Sequence, residues 1–321
     1  LLNYINIKIM EKLIKVDSSK IVKVFGVYDS NLKLIQSEFL ATITYRDDTI
    51  FIRGEPEQVK SVANTFKEII YVLDNKNTIT LNDVKSLIMI IKSESNNNKN
   101  ISNGFGSFIY SGKAGPVIPR SNGQLKCIQA IDSNDLIFIT GPAGTGKTFL
   151  SIVYAMSFFK KQKFEKIILC RPAVEAGENL GFLPGDLKEK IDPYLTPLYD
   201  SLEKIIPKET LNSLLSDKKI EIMPLAYMRG RTLENCFLIL DEAQNTTNMQ
   251  MKMFLTRLGV GSKAVITGDT TQIDLKNKTD SGLDKALEIL KNIKGIGFVK
   301  MDDTDIMRHQ LVKKIVKAYT K

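Results

Sequence analysis

The sequence predicts an α/β fold, a parallel sheet with helices on both faces, preceded by a small α+β domain. Three observations lead there. From Gly123 onward, short apolar runs alternate with stretches of helical apolar spacing, the pattern of a parallel sheet covered on both sides. One of those runs, Leu136–Ile139, feeds directly into a glycine-rich turn and then a helix. Ahead of them, residues 18–92 mix strand and helix patterns in a compact way, and a polar stretch separates the two regions. The organisation read from this is a small domain over 1–92, a flexible linker over 93–122 and a larger domain over 123–321.

The elements follow in chain order. Ile21–Phe25 is an apolar, β-branched run and reads as a strand. Ser30–Phe39 has helical spacing. Ala41–Tyr45 and Thr49–Arg53 read as a strand pair turned by Arg46-Asp47-Asp48. In Glu57–Leu73, Val59, Val62, Phe66, Ile69 and Ile70 recur at helical spacing, and Leu81–Ile91 makes another helix with Thr80 and Asp83 as a capping box. The stretch Ser93–Asn100 is Ser, Glu, Asn and Lys and has little to bury, hence the linker. Beyond it, Leu136–Thr140, Lys166–Cys170, Ile220–Pro224, Cys236–Asp241, Lys263–Gly268 and Gly297–Lys300 are the expected strands, with helices between them. In such a sheet chemistry gathers at the carboxyl ends of the strands.

Composition excludes several classes. A hydrophobic fraction of 43% is ordinary for a soluble globular chain, and no uncharged apolar run approaches a membrane span of ~20 residues. Leu1–Met10 is too short, and too soon followed by charge, to read as a signal peptide, so a cytoplasmic location and no membrane partner are expected. Cys127, Cys170 and Cys236 lie far apart without metal spacing and read as buried, reduced thiols. The net charge is +9, of which +2 falls on residues 1–100 and +7 on the other 221. A basic excess suits nucleic acid, but the preponderance of Lys, Asn and Ile also suits simple compositional bias.

Four segments carry chemistry. Gly141-Pro142-Ala143-Gly144-Thr145-Gly146-Lys147-Thr148 fits G-x-x-x-x-G-K-[ST] between a strand and a helix, the phosphate-binding P-loop. Its glycines let successive N–H groups face one centre, and the helix that follows adds its own free N–H groups and partial positive charge. Lys147 is placed to reach the β and γ phosphates, and the Thr148 hydroxyl to ligate magnesium. The chain is therefore expected to bind a nucleoside triphosphate. Phe237–Leu240 followed by Asp241-Glu242 is a buried strand ending in two acids, which needs something cationic at its tip. Asp241 would hold the magnesium opposite Thr148, and Glu242 would orient or deprotonate the attacking water. Val265–Thr267 leads to Gly268-Asp269-Thr270-Thr271-Gln272, where Gln272, with Asp269 as a second candidate, would sense the γ-phosphate. Asn277-Lys278-Thr279-Asp280 matches the guanine-reading N-K-x-D, yet no apolar strand leads into Asn277, so adenine is the expected base.

Longer blocks resemble the PhoH family of predicted ATPases. They are Gly141–Thr148, Arg171–Glu178 with Leu180–Gly185, Pro224–Arg231, Asp241–Asn245, Lys252–Arg257, and Gly268-Asp269 with Gln272. The resemblance spans about Gln124 to Tyr319 and implies a core like that of superfamily 1 helicases, ATP and magnesium as cofactors, single-stranded RNA as partner, and a homo-oligomer with a hexamer among its forms. Residue by residue, it implies that Gln124 reads adenine, that Arg171, Arg229 and Arg231 are candidates for nucleic-acid or phosphate contact, and that Arg308 is an arginine finger, with Arg257 competing for that role. It also implies a KH-like amino-terminal domain. A KH domain clamps the RNA backbone with a G-x-x-G loop, and here the corresponding stretch, Gly26-Val27-Tyr28-Asp29, has one glycine and an acid.

The function expected is a magnesium-dependent ATPase coupled to RNA binding, remodelling or metabolism. The alternative is an RNA- or ribosome-associated protein that uses ATP as a conformational ligand with little turnover. A small-molecule kinase would need an acceptor site that the sequence does not display.

Overall fold

A computed structural model describes residues 9–96, 110–113, 115–172, 187–275, 277 and 280–307. The chain divides into two compact units, Leu1–Arg120 and Ser121–Lys321.

The first unit runs β1 (Met10–Lys15), α1 (Ser18–Phe25), α2 (Ser30–Glu38), β2 (Ala41–Arg46), β3 (Thr49–Gly54), α3 (Pro56–Lys76) and α4 (Leu81–Asn96). Its antiparallel sheet has the order β1-β3-β2. Ile14, Ile43, Ile50 and Ile52 leave one face of that sheet, and Val59, Val62, Phe66 and Ile69 leave one side of α3; all are buried. Thr80 and Asp83 cap α4 reciprocally, as their spacing predicts.

Two features differ from the sequence expectation. Ile21–Phe25 is not a strand but the end of α1. Asp17 accepts the Ser19 N–H at 2.9 Å and starts the helix. Val24 is then fully buried, and Phe25 meets Tyr45 and Phe66 edge-on at 5.7 and 6.2 Å. Val22 is left 69% exposed, which only a helical phase explains. The β-branched composition favours a strand, and packing overrides it. The second feature is β1, whose alternation with Glu and Lys conceals it until it pairs with β3, Leu13 opposite Phe51. Between α1 and α2 the turn Gly26-Val27-Tyr28-Asp29 takes φ of 78° at Gly26 and 59° at Asp29, so the acid adopts a conformation that glycine reaches freely.

Within the stretch read as a linker, α4 continues to Asn96, and β4 (Tyr110–Gly112) pairs with β5 (Gly115–Val117) as a hairpin beside α3. Residues 97–109 lie outside the described residues.

The second unit runs α5 (Asn122–Ser133), β6 (Leu136–Thr140), α6 (Lys147–Lys160), β7 (Lys166–Arg171), α7 (Leu187–Ile205), α8 (Lys208–Ser216), β8 (Ile220–Pro224), β9 (Cys236–Leu240), α9 (Asn248–Leu255), β10 (Lys263–Gly268), α10 (Gly282–Leu290) and β11 (Ile296–Lys300). The six strands form one parallel sheet in the order β11-β6-β10-β9-β7-β8. Side chains alternate between its faces. Phe138, Ile168, Leu238, Leu240 and Ile266 pack with Met251 and Phe254 of α9 and Leu283 of α10. Phe237, from the opposite face, meets Phe158 of α6 at 5.9 Å. Register aligns the carboxyl ends: Gly268 lies opposite Thr140, Cys170 opposite Leu240, and Arg171 opposite Pro224. No helix among the described residues is long and apolar enough to cross a membrane.

Phe66→Ala should lower the unfolding free energy of the first unit by ~3–5 kcal/mol, read from denaturant midpoints, because the ring is wholly enclosed. All three cysteines are buried and free, and burial pushes the Cys127 thiol up to about 12. Native protein at pH 8 should therefore resist iodoacetamide, with alkylation by mass appearing only under denaturant.

Candidate nucleotide site at the carboxyl edge of the sheet

The P-loop joins β6 to α6. Gly146 precedes the helix at φ 86°, in the left-handed region, where a side chain would be strained. Gly141 is required for a different reason. The chain leaving β11 passes so close that a Cβ on Gly141 would stand 2.6 Å from the Met301 carbonyl oxygen. That segment braces the loop, with the Met301 N–H donating to Thr140 O at 2.7 Å and the Met307 N–H to Gly144 O at 2.9 Å. Asp305, 4% exposed, accepts from the Gly123 N–H at the start of α5.

Lys147 is folded back onto its own loop, donating to the carbonyls of Gly141 at 2.6 Å and Pro142 at 2.9 Å. Burial lowers its pKa, and the carboxylates of Asp269, Glu242 and Asp241 act in the opposite direction. Although β10 lies between β6 and β9, Thr148 Oγ1 donates to Asp241 Oδ1 at 2.6 Å. Thr267, on the intervening strand, donates to the same oxygen at 2.7 Å. Asp241 is thereby only 2% exposed.

Glu242 stands in the left-handed region, φ 53° and ψ 41°, an uncommon state for a residue with a side chain. Both of its oxygens are held: Arg171 Nη2 donates to Oε1 at 2.8 Å, and Gln244 Nε2 to Oε2 at 2.7 Å. The Gln244 side-chain oxygen, Oε1, accepts the Asp269 N–H at 3.0 Å and so ties β9 to the end of β10. Asp269 turns Oδ1 to Thr271, while its buried Oδ2 has no hydrogen-bond partner among the described residues. The cavity these groups enclose, about 300 Å³, is lined by Gly144, Lys147, Thr148, Asp241, Glu242 and Gln272, among others. A P-loop with its lysine, a hydroxyl–carboxylate pair and a second acid thus line one space. That donor set matches a metal-bound polyphosphate.

Residues 116–320 match the family described as PhoH-like protein. The PhoH-like protein of Bacillus subtilis is 46% identical over 305 residues, which cover 94% of each chain. That of Mycobacterium tuberculosis strain H37Rv is 43% identical over 309 residues, 96% of this chain and 87% of the relative. This chain belongs to the PhoH family. Among solved structures, the Sulfolobus solfataricus SWI2/SNF2 ATPase core in complex with dsDNA aligns at 14% identity and a TM-score of 0.36, over 58% of this chain and 44% of that one.

Set against the sequence expectation for a PhoH protein, Lys147, Thr148, Asp241, Glu242 and Gln272 converge on one cavity. Gln124 lies beside it, but its Nε2 donates to the Thr145 carbonyl at 3.0 Å, so its amide is engaged with the P-loop backbone. Arg171, a candidate for nucleic-acid or phosphate contact, lines the same cavity and bonds Glu242 and the Tyr194 carbonyl, with Asp241 alongside. Arg231 pairs with Glu221 at 3.0 Å, whereas Arg229 is exposed on the turn after β8. Arg257 caps local carbonyls, those of Met253 and Arg231, which leaves its guanidinium engaged at home. Arg308 and residues 173–186 lie outside the described residues. Asn277 donates to Asp280 at 3.3 Å, and among the described residues no strand leads directly into it. Sequence reasoning passed over Thr267 and Gln244; the signal for Gln244 was its place two residues after Glu242, in the run Asp-Glu-Ala-Gln.

Gly141→Ala should destabilise the second unit by ~1–3 kcal/mol in denaturant titrations, because the opposing atom is backbone and the strand cannot retreat.

Proposed function

We propose that this chain is a magnesium-dependent ATP hydrolase whose turnover is coupled to RNA. The observation that carries the reading is the Thr148–Asp241 contact, made across the sheet with Glu242 at the mouth of the same cavity. A hydroxyl and a carboxylate are the hard oxygen donors that a magnesium–triphosphate complex takes from a protein, so these residues fit the ion. Thr148 and Asp241 would hold it, and bound there it would offset the charge of the β and γ phosphates. Lys147 exchanges the Gly141 and Pro142 carbonyls for phosphate oxygens. Glu242 accepts a proton from the attacking water at its carboxylate, and its backbone strain fits a residue whose direction matters more than its comfort. Gln272 makes no side-chain hydrogen bond among the described residues and borders the cavity, a suitable position for contact with the terminal phosphate. Adenine is favoured because β10 ends at Gly268, well before Asn277, so the N-K-x-D match does not sit at the end of a strand. The RNA part of the reading is supported by the net charge of +9 and by the exposed Arg229 beside Tyr227, itself 56% exposed, an arrangement suited to phosphate contact and base stacking. By family resemblance, the working form is a homo-oligomer in which Arg308 acts as the finger.

Steady-state ATP turnover with and without single-stranded RNA tests the proposal. Wild type should hydrolyse ATP and respond to RNA. Lys147→Ala should lose nucleotide binding, and Glu242→Gln should bind ATP yet turn over roughly 10²–10⁴-fold more slowly. A wild type that binds ATP and hydrolyses none, with RNA or without, would leave a nucleotide-switched RNA-binding protein in its place. Coupling through phosphate contacts further requires that RNA affinity fall steeply with salt.

A further inference from the structure

Arg171 closes β7 and faces three partners at once. Nη1 donates to the Tyr194 carbonyl at 2.8 Å, Nη2 donates to Glu242, and Nε stands 3.1 Å from Asp241 Oδ2. The last contact is a charge contact only: Nε is buried and donates no hydrogen bond among the described residues. The carboxylate side is more demanding. Asp241 Oδ1 is already filled by two threonine hydroxyls, the side chain is 3% exposed, and Glu242 adds a second negative charge next door. Adjacent carboxylates in such a place need a compensating cation. Lys147 is turned to its own loop, and no other cationic side chain pairs with Asp241 or Glu242 among the described residues.

We propose that Arg171 is a built-in placeholder for the divalent cation. It neutralises Asp241 and holds Glu242 while the metal is away, and it yields Asp241 when the metal–triphosphate complex arrives. The inference rests on the magnesium-dependent reading above. Three features support it. The oxygen that Arg171 guards belongs to the carboxylate assigned to the metal. The guarding contact lacks hydrogen-bond geometry, so opening it gives up charge compensation, which the metal itself supplies, and no hydrogen bond, whereas the anchor to Tyr194 keeps the guanidinium in place. Space is also available: beyond Arg171 lies a second cavity of about 210 Å³, bordered by Tyr194, Gln244, Asn245, Gln272 and Asp274, and Arg171, Glu242 and Gln272 line both cavities. Arg171 is a positioning residue in this scheme. It makes metal entry a competition that metal alone loses and metal with triphosphate wins.

The test uses the full chain with two readouts that do not require turnover: thermal unfolding with Mg²⁺ alone, and equilibrium binding of a fluorescent non-hydrolysable ATP analogue across a Mg²⁺ titration. Arg171→Gln should melt lower in EDTA, gain a Tm increase from Mg²⁺ alone that wild type lacks, and reach half-maximal analogue binding at roughly tenfold less Mg²⁺, an ordinary size for coupling at one site. Arg171→Lys keeps a charge but cannot bridge both acids, so it should shift the same way by less. Asp241→Asn placed on Arg171→Gln should abolish the response to Mg²⁺ alone. The proposal is overturned if either folded Arg171 variant needs as much Mg²⁺ as wild type, or more. Should wild type bind no analogue at saturating Mg²⁺, the nucleotide reading fails, while the response to Mg²⁺ alone still reports on the placeholder.

Discussion

A carboxylate sealed at the end of a central strand sets the terms for everything near it. Asp241 is 2% exposed, and an ionised group in such a place survives only when its lone pairs and its charge are both met. Thr148 brings the first turn of α6, Thr267 brings β10, and Arg171 brings β7. Each of these elements is held to its position by the same oxygen pair. The hydroxyls satisfy lone pairs and the guanidinium satisfies charge, so the site's parts are assembled by one electrostatic requirement before any ligand arrives.

The parallel register makes this convergence feasible. Gly268 opposite Thr140, Ile266 opposite Leu240 and Cys170 opposite Leu240 bring four strand ends within two residues of one another, although the segments are scattered over more than a hundred residues of chain. β10, inserted between the P-loop strand and the Asp241 strand, contributes Thr267 as a bridge and Asp269 as a wall. Gln244 then fastens Glu242 to the backbone of that inserted strand. On the far side of β6, the chain after β11 bonds Thr140 and Gly144, so the P-loop is gripped from the edge of the sheet as well as from its centre. A rigid frame of this kind is what positioning chemistry needs.

Much of the second unit was legible in its residues, because a buried parallel strand is an uninterrupted apolar run and a P-loop is a contiguous motif. Leu136–Thr140, Ile220–Pro224 and Lys263–Gly268 stand where their composition places them. The first unit was less legible. Ile21–Phe25 is rich in β-branched residues and still helical, because enclosing Val24 and packing Phe25 against Tyr45 and Phe66 outweigh the backbone preference. β1 hides behind its charges, since pairing with β3 is a long-range event with no local mark.

By itself, the sequence determined the alternation of strands and helices, the loop from Gly141 to Thr148 and the acids at 241 and 242, because each depends on neighbours in the chain. Only the tertiary structure decided who compensates whom. Arg171 reads as a candidate for nucleic-acid or phosphate contact, and Arg257 as the competitor to Arg308 for the finger. Neither reading names the partners that folding supplies, Asp241 and Glu242 for the first and the carbonyls of Met253 and Arg231 for the second. A charge carries no record of its partner along the chain. The partner is whichever buried opposite charge the register of the sheet brings within about 3 Å, and once both are buried neither can be left alone without a large cost.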